Sequence, residues 1–415
     1  MITKFVFQQK NLNLCSMEKS KHLLRNCPIC KCNKGKILHT QHFSLPDKSV
    51  LPNVYDVVSC EDCGFCFADS AATQADYDKY YNEMSKYEDK NTGSGSGLAP
   101  LDKLRMDIVV DLLAQFIPQK SHSIVDIGCA NGGMLNCFHE KGFSNLIGID
   151  ISQKCVSNVK ALGFESYFGG IFSLEKIKDK KFDVVTVSHV MEHIKDLKTA
   201  AINLSSLIAE DGLLYIEVPD ASKYAQYYFV PYYYFDCEHI NHFNITALTN
   251  LFLGEGLECL YYEERSLVVS DDKEYPVLRV VFKKTIKNNK QEIEKDEKVT
   301  SSIKGYIKLS ESNSTFNELN NFIHSKEEIF VWGAGMYTLR LLQDSKLGEC
   351  NIQYYIDKDS NKQGNKLNGI SIISPEILKQ HKNTPIIIAS AIHGKAIKEE
   401  IVLIDGNPNR KTIIL

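Results

Sequence analysis

The stretch Ser123-Ile124-Val125-Asp126-Ile127-Gly128-Cys129-Ala130-Asn131-Gly132-Gly133-Met134-Leu135 decides the fold of this chain. Its apolar residues Ile124, Val125 and Ile127 read as a strand carrying the acid Asp126, followed by a Gly-containing turn and then a helix. Downstream, Leu146-Ile147-Gly148-Ile149 is a second apolar run, and it ends in Asp150. Two parallel strands that finish in carboxylates bring both acids to the sheet edge where open α/β folds bind ligands. Gly128 and Gly132 let backbone approach a ligand closely, and Asp150 stands where an acid grips a pair of ribose hydroxyls. The turn reads G-C-A-N-G-G, which is not the dinucleotide fingerprint G-x-G-x-x-G.

The next segments keep the same alternation. Phe182-Asp183-Val184-Val185-Thr186-Val187 is a buried type of strand that runs into Ser188-His189-Val190-Met191-Glu192-His193-Ile194. A helix is expected over about Leu197 to Ile208. Asp211-Gly212 then makes a turn into the strand Leu213-Leu214-Tyr215-Ile216-Glu217-Val218. In this order the motifs resemble those of the class I S-adenosylmethionine (SAM) methyltransferases, with Ala130 in place of the middle glycine. The resemblance implies an α/β, doubly wound sheet that binds SAM through Asp126, Gly128, Ala130, Gly132 and Asp150. His189 and His193, after the preceding strand, should face the same cleft, with His189 on the cofactor side.

Composition narrows the function classes. At 415 residues the chain is long enough for two to three domains of roughly 150 residues each. Hydrophobic residues at 43% and charged ones at 24% are ordinary for a globular protein. The net charge is −4 with no basic block, so nucleic acid as a partner has no electrostatic support. No run approaches the ~18 apolar residues of a membrane span. Residues 1–20 lack the apolar core of a signal peptide and read as a disordered leader, with Met17 an alternative start. Thirteen cysteines without an export signal favour thiols or metal over disulfides, and a cytoplasmic location.

The first compact unit is expected over 21–70. Cys27-Pro28-Ile29-Cys30 and Cys60-Glu61-Asp62-Cys63 are two C-x-x-C knuckles, and Gly64 permits the tight turn after the second. Four thiolates so spaced make a tetrahedral zinc site, structural because it leaves no open position for chemistry. Cys32 and Cys66 are surplus, either alternative ligands or partly buried thiols. Residues 71–100 read as a Tyr-rich helix over Thr73–Tyr87, with Tyr87 a candidate acceptor contact, and then the flexible run Asn91–Gly97. A helix at about Leu101–Phe116 opens the core, 101–285. The core closes with strands at Leu257–Tyr262 and Pro276–Phe282, placed like an antiparallel terminal hairpin.

Residues 286–325 are polar and Lys/Glu/Asn-rich, and read as a solvated helical connector. The last unit, 326–415, starts again with a strand and a Gly333-Ala334-Gly335 turn, then Tyr354-Tyr355-Ile356-Asp357, and reads as Rossmann-like. That turn could accept a phosphate at a helix N-terminus or be only a tight connection.

Between the core strands lies an aromatic loop, Tyr224 to Phe243, which includes Asp236-Cys237-Glu238-His239-Ile240-Asn241-His242. Following a strand that ends at Pro219, it should overhang the edge carrying Asp126 and Asp150. Methyl transfer needs both partners positioned and a proton removed from the acceptor. A histidine is the natural base, and an adjacent carboxylate orients it, so Glu238 and His239 offer a pair. The same E-H-x-x-x-F pattern also serves as the turn and cap before a helix at Leu248–Gly254, with His239 packing the loop. His193, His189 and His242 are further candidates for the base.

Taken together, the zinc knuckles, SAM core, E-H-x-x-x-F loop and terminal G-A-G unit resemble the nucleotide-sugar C-methyltransferases. That resemblance implies a zinc-binding N-terminal module, a class I core and a Rossmann-like C-terminal domain that helps to close over the acceptor. By match, Cys27, Cys30, Cys60 and Cys63 are the zinc ligands, and Asp126, Gly128 and Asp150 hold SAM. His239 is the general base beside Glu238, and His193 falls on the family's histidine after strand four. The expected partner is a nucleotide-linked or other sugar acceptor used in a surface glycan or polysaccharide. Asp236 departs from the family, which carries an aromatic residue there, and the terminal turn lacks the usual Lys. O-methylation of a sugar hydroxyl or phosphate-linked group is the alternative. A zinc-stabilised binding protein with a degenerate SAM core is a third reading, resting on Ala130.

Overall fold

A computed structural model of the protein describes residues 20–45, 49–84, 99–270, 273–285 and 292–415. The expected leader, the Asn91–Gly97 run and Tyr87 lie outside the described residues. At the N-terminus, β1 (Ser20–His22), β2 (Lys34–His42), β3 (Val54–Cys60) and β4 (Cys66–Asp69) form an antiparallel sheet. Helix α1 (Gln74–Met84) follows it, and the expected continuation to Tyr87 lies outside the described residues.

The core opens with α2 (Pro100–Ala114), started by a proline at its first turn where the missing N–H costs nothing. Then come β5 (Ser123–Ile127), α3 (Gly133–Glu140), β6 (Asn145–Asp150), α4 (Gln153–Ala161) and β7 (Glu165–Phe168). β8 (Phe182–Ser188), α5 (Leu197–Leu207) and β9 (Ile208–Pro219) complete the parallel part. After the aromatic loop lie β10 (Asn241–His242), α6 (Ile245–Leu251), β11 (Leu257–Ser270) and β12 (Lys273–Lys284). The seven-stranded sheet has the order β11-β12-β9-β8-β5-β6-β7, with β12 antiparallel to both neighbours. Strand order reverses at β5, which pairs in parallel with both β6 and β8, so the crevice at the carboxyl ends of β5 and β8 is the switch point.

Three expectations shift for physical reasons. Helix α6 begins three residues before the expected Leu248 because the Asn244 side chain accepts the Ala247 amide and caps it. The terminal hairpin is longer than the apolar runs alone, since antiparallel pairing continues through Val268 and Glu274. The supposed solvated connector is a packed helix: α7 (Lys298–Glu311) buries Val299, Ile303, Tyr306 and Ile307. Its period-3.6 apolar stripe was masked by the lysines and serines on the other face.

The C-terminal unit follows a short helix, α8 (Leu319–Ser325). It contains β13 (Ile329–Trp332), α9 (Met336–Asp344), β14 (Ile352–Ile356), β15 (Lys366–Leu367), β16 (Ile370–Ile373), β17 (Ile386–Ile388), α10 (Gly394–Asp405) and β18 (Thr412–Ile414). Its six strands run β15-β16-β14-β13-β17-β18, parallel except for the β15–β16 pair.

The units are interlocked. β10 pairs with β4, so the loop carrying Glu238 and His239 ends as a strand of the N-terminal sheet. Helix α9 carries Arg340, which donates to the carbonyls of Tyr232, Tyr233 and Phe235. Among the described residues no helix is long and apolar enough to cross a membrane.

Candidate active site and metal centre

The four knuckle thiols converge. Cys27 and Cys63 sulfurs are 3.6 Å apart, Cys30 and Cys60 sulfurs 3.4 Å, and all four lie within 4.8 Å of one another. Four sulfurs at ~2.3 Å from a tetrahedral zinc stand about 3.8 Å apart, so the donors fit that ion in type and spacing. Each knuckle closes the same way. The residue after the second cysteine, Lys31 or Gly64, adopts a left-handed φ (67° and 78°) and donates its amide to the first cysteine's carbonyl. Glycine is required at position 64 for a second reason: a Cβ there would stand 2.2 Å from the Asp296 carbonyl oxygen. The surplus thiols lie apart, Cys66 against Thr300 and Cys32 against Lys34.

At the switch point the β5–α3 turn is held by β6. The amides of Gly128 and Cys129 both donate to the Ile149 carbonyl, and Ala130, at φ 46°, donates to Asp150 Oδ2 at 2.8 Å. Asp150 Oδ1 accepts the Ser152 amide at 2.8 Å. Asp150 therefore stands at the tip of β6 with one backbone amide on each oxygen, and a carboxylate has about four acceptor positions. That arrangement fits a ribose diol.

Asp126 is placed differently from expectation. It lies within β5, 4% exposed, and accepts the Thr186 hydroxyl at 2.7 Å. Burial and the charge of Asp150 push it up to about 6, against the Thr186 bond. The glycines serve packing as much as approach. A Cβ at Gly128 would meet Val190 Cγ2 at 2.5 Å, and one at Gly132 would press on Val159 and Leu162 of α4. Asn131, which the motif did not single out, accepts the Asn158 amide at 2.7 Å and ties the turn to α4.

His189, expected on the cofactor side, has both ring nitrogens near carboxylates. Its ring is clamped between two carboxylates, Nδ1 3.1 Å from Glu192 and Nε2 3.2 Å from Glu217. Burial disfavours its charge, but the bonds to Glu192 and Glu217 win and lift it to about 9. Glu217 in turn accepts Arg279 Nε at 2.6 Å and the hydroxyls of Tyr215 and Ser188 at 3.1 Å. Burial opposes the charge of Glu192, yet the His189 bond and the nearby His193 and His239 hold its carboxyl down at about 2.

The aromatic loop folds onto the H-x-x-E-H turn. Asn241 donates to the carbonyls of Met191, Glu192 and Ile194, and the Ile240 amide to that of Glu192. His193 Nδ1 is 2.6 Å from the Tyr81 hydroxyl and 3.0 Å from the Glu238 carbonyl oxygen. The His193 and His239 rings meet edge to face at 4.7 Å. The carboxylate of Glu238 is 2% exposed and accepts the Tyr80 hydroxyl at 3.2 Å. Glu192, His193 and His239 bring one donor atom each within 4.8 Å of one another. His242, fully buried in β10, is pushed down to about 3 by burial, which removes it from the candidates for the base at neutral pH.

Much of the aromatic loop is core rather than an acceptor surface. Tyr224 and Tyr234 stack at 3.8 Å, and Tyr306 of α7 closes on Tyr234 at 5.1 Å. Signals for Glu192 and Asn241 existed in the H-x-x-E-H and E-H-x-x-x-F patterns. Their partners did not, because each bond joins residues about 50 positions apart. In the C-terminal unit the Ala334 amide donates to Asp357 Oδ2 at 2.9 Å, the same device as Ala130 and Asp150.

Residues 101–262 match the family model described as a methyltransferase domain, and residues 325–413 one described as C2185-like, N-terminal. An uncharacterized protein of Haemophilus influenzae is 29% identical over 104 residues, 23% of this chain and 41% of that one. The ubiquinone biosynthesis O-methyltransferase of Actinobacillus pleuropneumoniae is 26% identical over 152 residues, 34% of this chain and 63% of that one. The chain thus spans less than two thirds of the length of either relative. Among solved structures, the magnesium protoporphyrin IX methyltransferase of Synechocystis, with bound SAM, superposes with a TM-score of 0.37 at 16% identity. It is covered over 99% of its length by 51% of this chain. Residues 101–262 thus match a methyltransferase domain. That domain is set between a four-cysteine module and a second α/β unit.

Proposed function

We propose that this protein transfers a methyl group from SAM to a nucleotide-linked sugar, on the carbon next to a ketone. The observation that carries the reading is that two groups follow the carboxyl ends of strands in one parallel sheet: Asp150 and the β5–α3 turn at β6 and β5, and Glu192, His193 and His239 on the segments after β8 and β9. We read the first as the cofactor side of a cleft and the second as its acceptor side. The order of the cysteine knuckles, the core and the second α/β unit supports it further.

SAM, bound along the tips of β5 and β6, supplies an electrophilic methyl. Asp150 holds the ribose and thereby fixes the direction in which that methyl points. His239 takes the proton from the carbon α to the ketone, and the electron pair left on that carbon forms the new C–C bond as the C–S bond breaks. His193, held through Nδ1, keeps the base and acceptor in place. Cys27, Cys30, Cys60 and Cys63 hold a structural zinc that anchors the sheet on which β10 and the acceptor loop end.

Transfer to a sugar hydroxyl is the second reading, and the O-methyltransferase relative favours it. The test is incubation of the purified protein with methyl-labelled SAM and a panel of nucleoside diphosphate sugars, with and without a 4-keto group. Carbon NMR of the product distinguishes a C-methyl from a methoxy signal. Turnover only on 4-keto sugars with a C-methyl product is expected, and label on no sugar at all would end the reading.

A further inference from the structure

A row of alternating charges joins the two sides of the cleft. Arg105 of α2, whose charge acts on Asp126, stands 3.5 Å from Glu217. Glu217 meets His189, and His189 meets Glu192. Glu192 Oε1 then lies 4.0 Å from His193 Nε2, too far for a hydrogen bond. Glu192 is 1% exposed, and its Oε2 has no hydrogen-bond partner among the described residues. A buried carboxylate with an unmet oxygen is costly unless a positive charge answers it. On one side the answer is His189. On the other side two imidazoles, His193 and His239, stand within reach.

We propose that Glu192 is the positioning carboxylate of the acceptor base: from behind His193 and His239 it stabilises the imidazolium formed when the acceptor's proton is taken. This rests on the reading of the cleft given above, and it adds a residue from the preceding loop to the adjacent Glu238. The acid reaches the base only in three dimensions, through Asn241 and the Ile240 amide, which clamp the two loops together. Other groups facing Glu192 are His189, with Glu217, Arg105 and Arg279 beyond it, and Tyr224 and Tyr275; around its imidazole partners, Tyr81 of α1 meets His193 and Tyr80 meets Glu238. The tyrosines are neutral at physiological pH. Replacing Glu192 by a neutral side chain therefore removes the negative charge that His193 and His239 share with His189.

The experiment is Glu192→Gln in the full chain, read first without substrate by NMR titration of the histidine C2 protons. The His239 or His193 midpoint should move about one unit to lower pH, a tenfold weaker hold on the proton. With acceptor, kcat/KM at neutral pH should fall ~10–100-fold and its acid limb should move to lower pH, while SAM affinity holds. Glu192→Asp, which keeps the charge one methylene further back, should recover most of both effects. It also serves if the Gln variant does not fold, giving the same direction at smaller size. Unmoved titration midpoints for both rings overturn the proposal whatever the acceptor proves to be. A moved midpoint in a protein that methylates no sugar supports the role of Glu192 and overturns only the substrate reading.

Discussion

Asp150 receives an amide on each carboxylate oxygen, so its position is set by backbone before any ligand arrives. Asp150→Ala should weaken SAM or S-adenosylhomocysteine binding ~10–100-fold in a calorimetric titration, the scale of one charged hydrogen bond. His239→Ala should leave that binding intact and cut turnover ~10²–10⁴-fold; near-native turnover would remove it as the base. His189 gives a pH signature in stability. Its folded-state value is raised from 6.5 to about 9, so its contribution is full below pH 6.5 and is lost as pH climbs through 9. Glu192 is lowered from 4.5 to about 2, so its contribution is present above 4.5 and is lost as pH falls toward 2. A thermal melting series should decline on both flanks, and His189→Gln should flatten the alkaline one. Asp150 and the four thiols were legible as residues, because strand-end acids and C-x-x-C pairs are local patterns. The clamp on His189 was not, because Glu217 belongs to another strand.

Among the elements, α7 shows what composition hides. Lys298–Glu311 is rich in lysine and serine, yet Tyr306 is fully buried and donates its hydroxyl to the Val230 carbonyl at 2.9 Å. Tyr306→Phe should cost about 1 kcal/mol in chemical denaturation, and Tyr306→Ala about 3–5 kcal/mol, because the ring fills a packed aromatic cluster. Equal effects would mean that the ring does not pack as described. Tyrosine has both a polar tip and an apolar face, so the aromatic loop by itself fits either a cleft edge or a core. Which of these is used depends on whether an element such as α7 covers it, and α7 follows more than 50 residues later in the chain.

For the whole molecule, β10 is the joint that matters. Two residues after His239, the chain pairs with β4 next to the thiol centre, so the four thiols and the loop carrying His239 share one sheet. Purified protein should contain about one zinc per chain by mass spectrometry, and Cys60→Ser should lose it. That loss should lower the melting temperature and also reduce turnover, although no thiol touches the acceptor. A Cys60→Ser protein that keeps its zinc would refute the assignment of the four ligands. Likewise the C-terminal unit reaches the loop through Arg340, whose buried guanidinium holds three carbonyls just before Asp236. By itself the sequence determined the α/β core, the strand-end acid Asp150, the thiol quartet and the recurrence of a second α/β unit, because each is written in residues close together. Only the tertiary structure decided that Asp126 is interior, that His189 is clamped and that Glu192 faces His193 and His239. Those facts depend on which distant loops pack together, and burial and bonding across the fold set them.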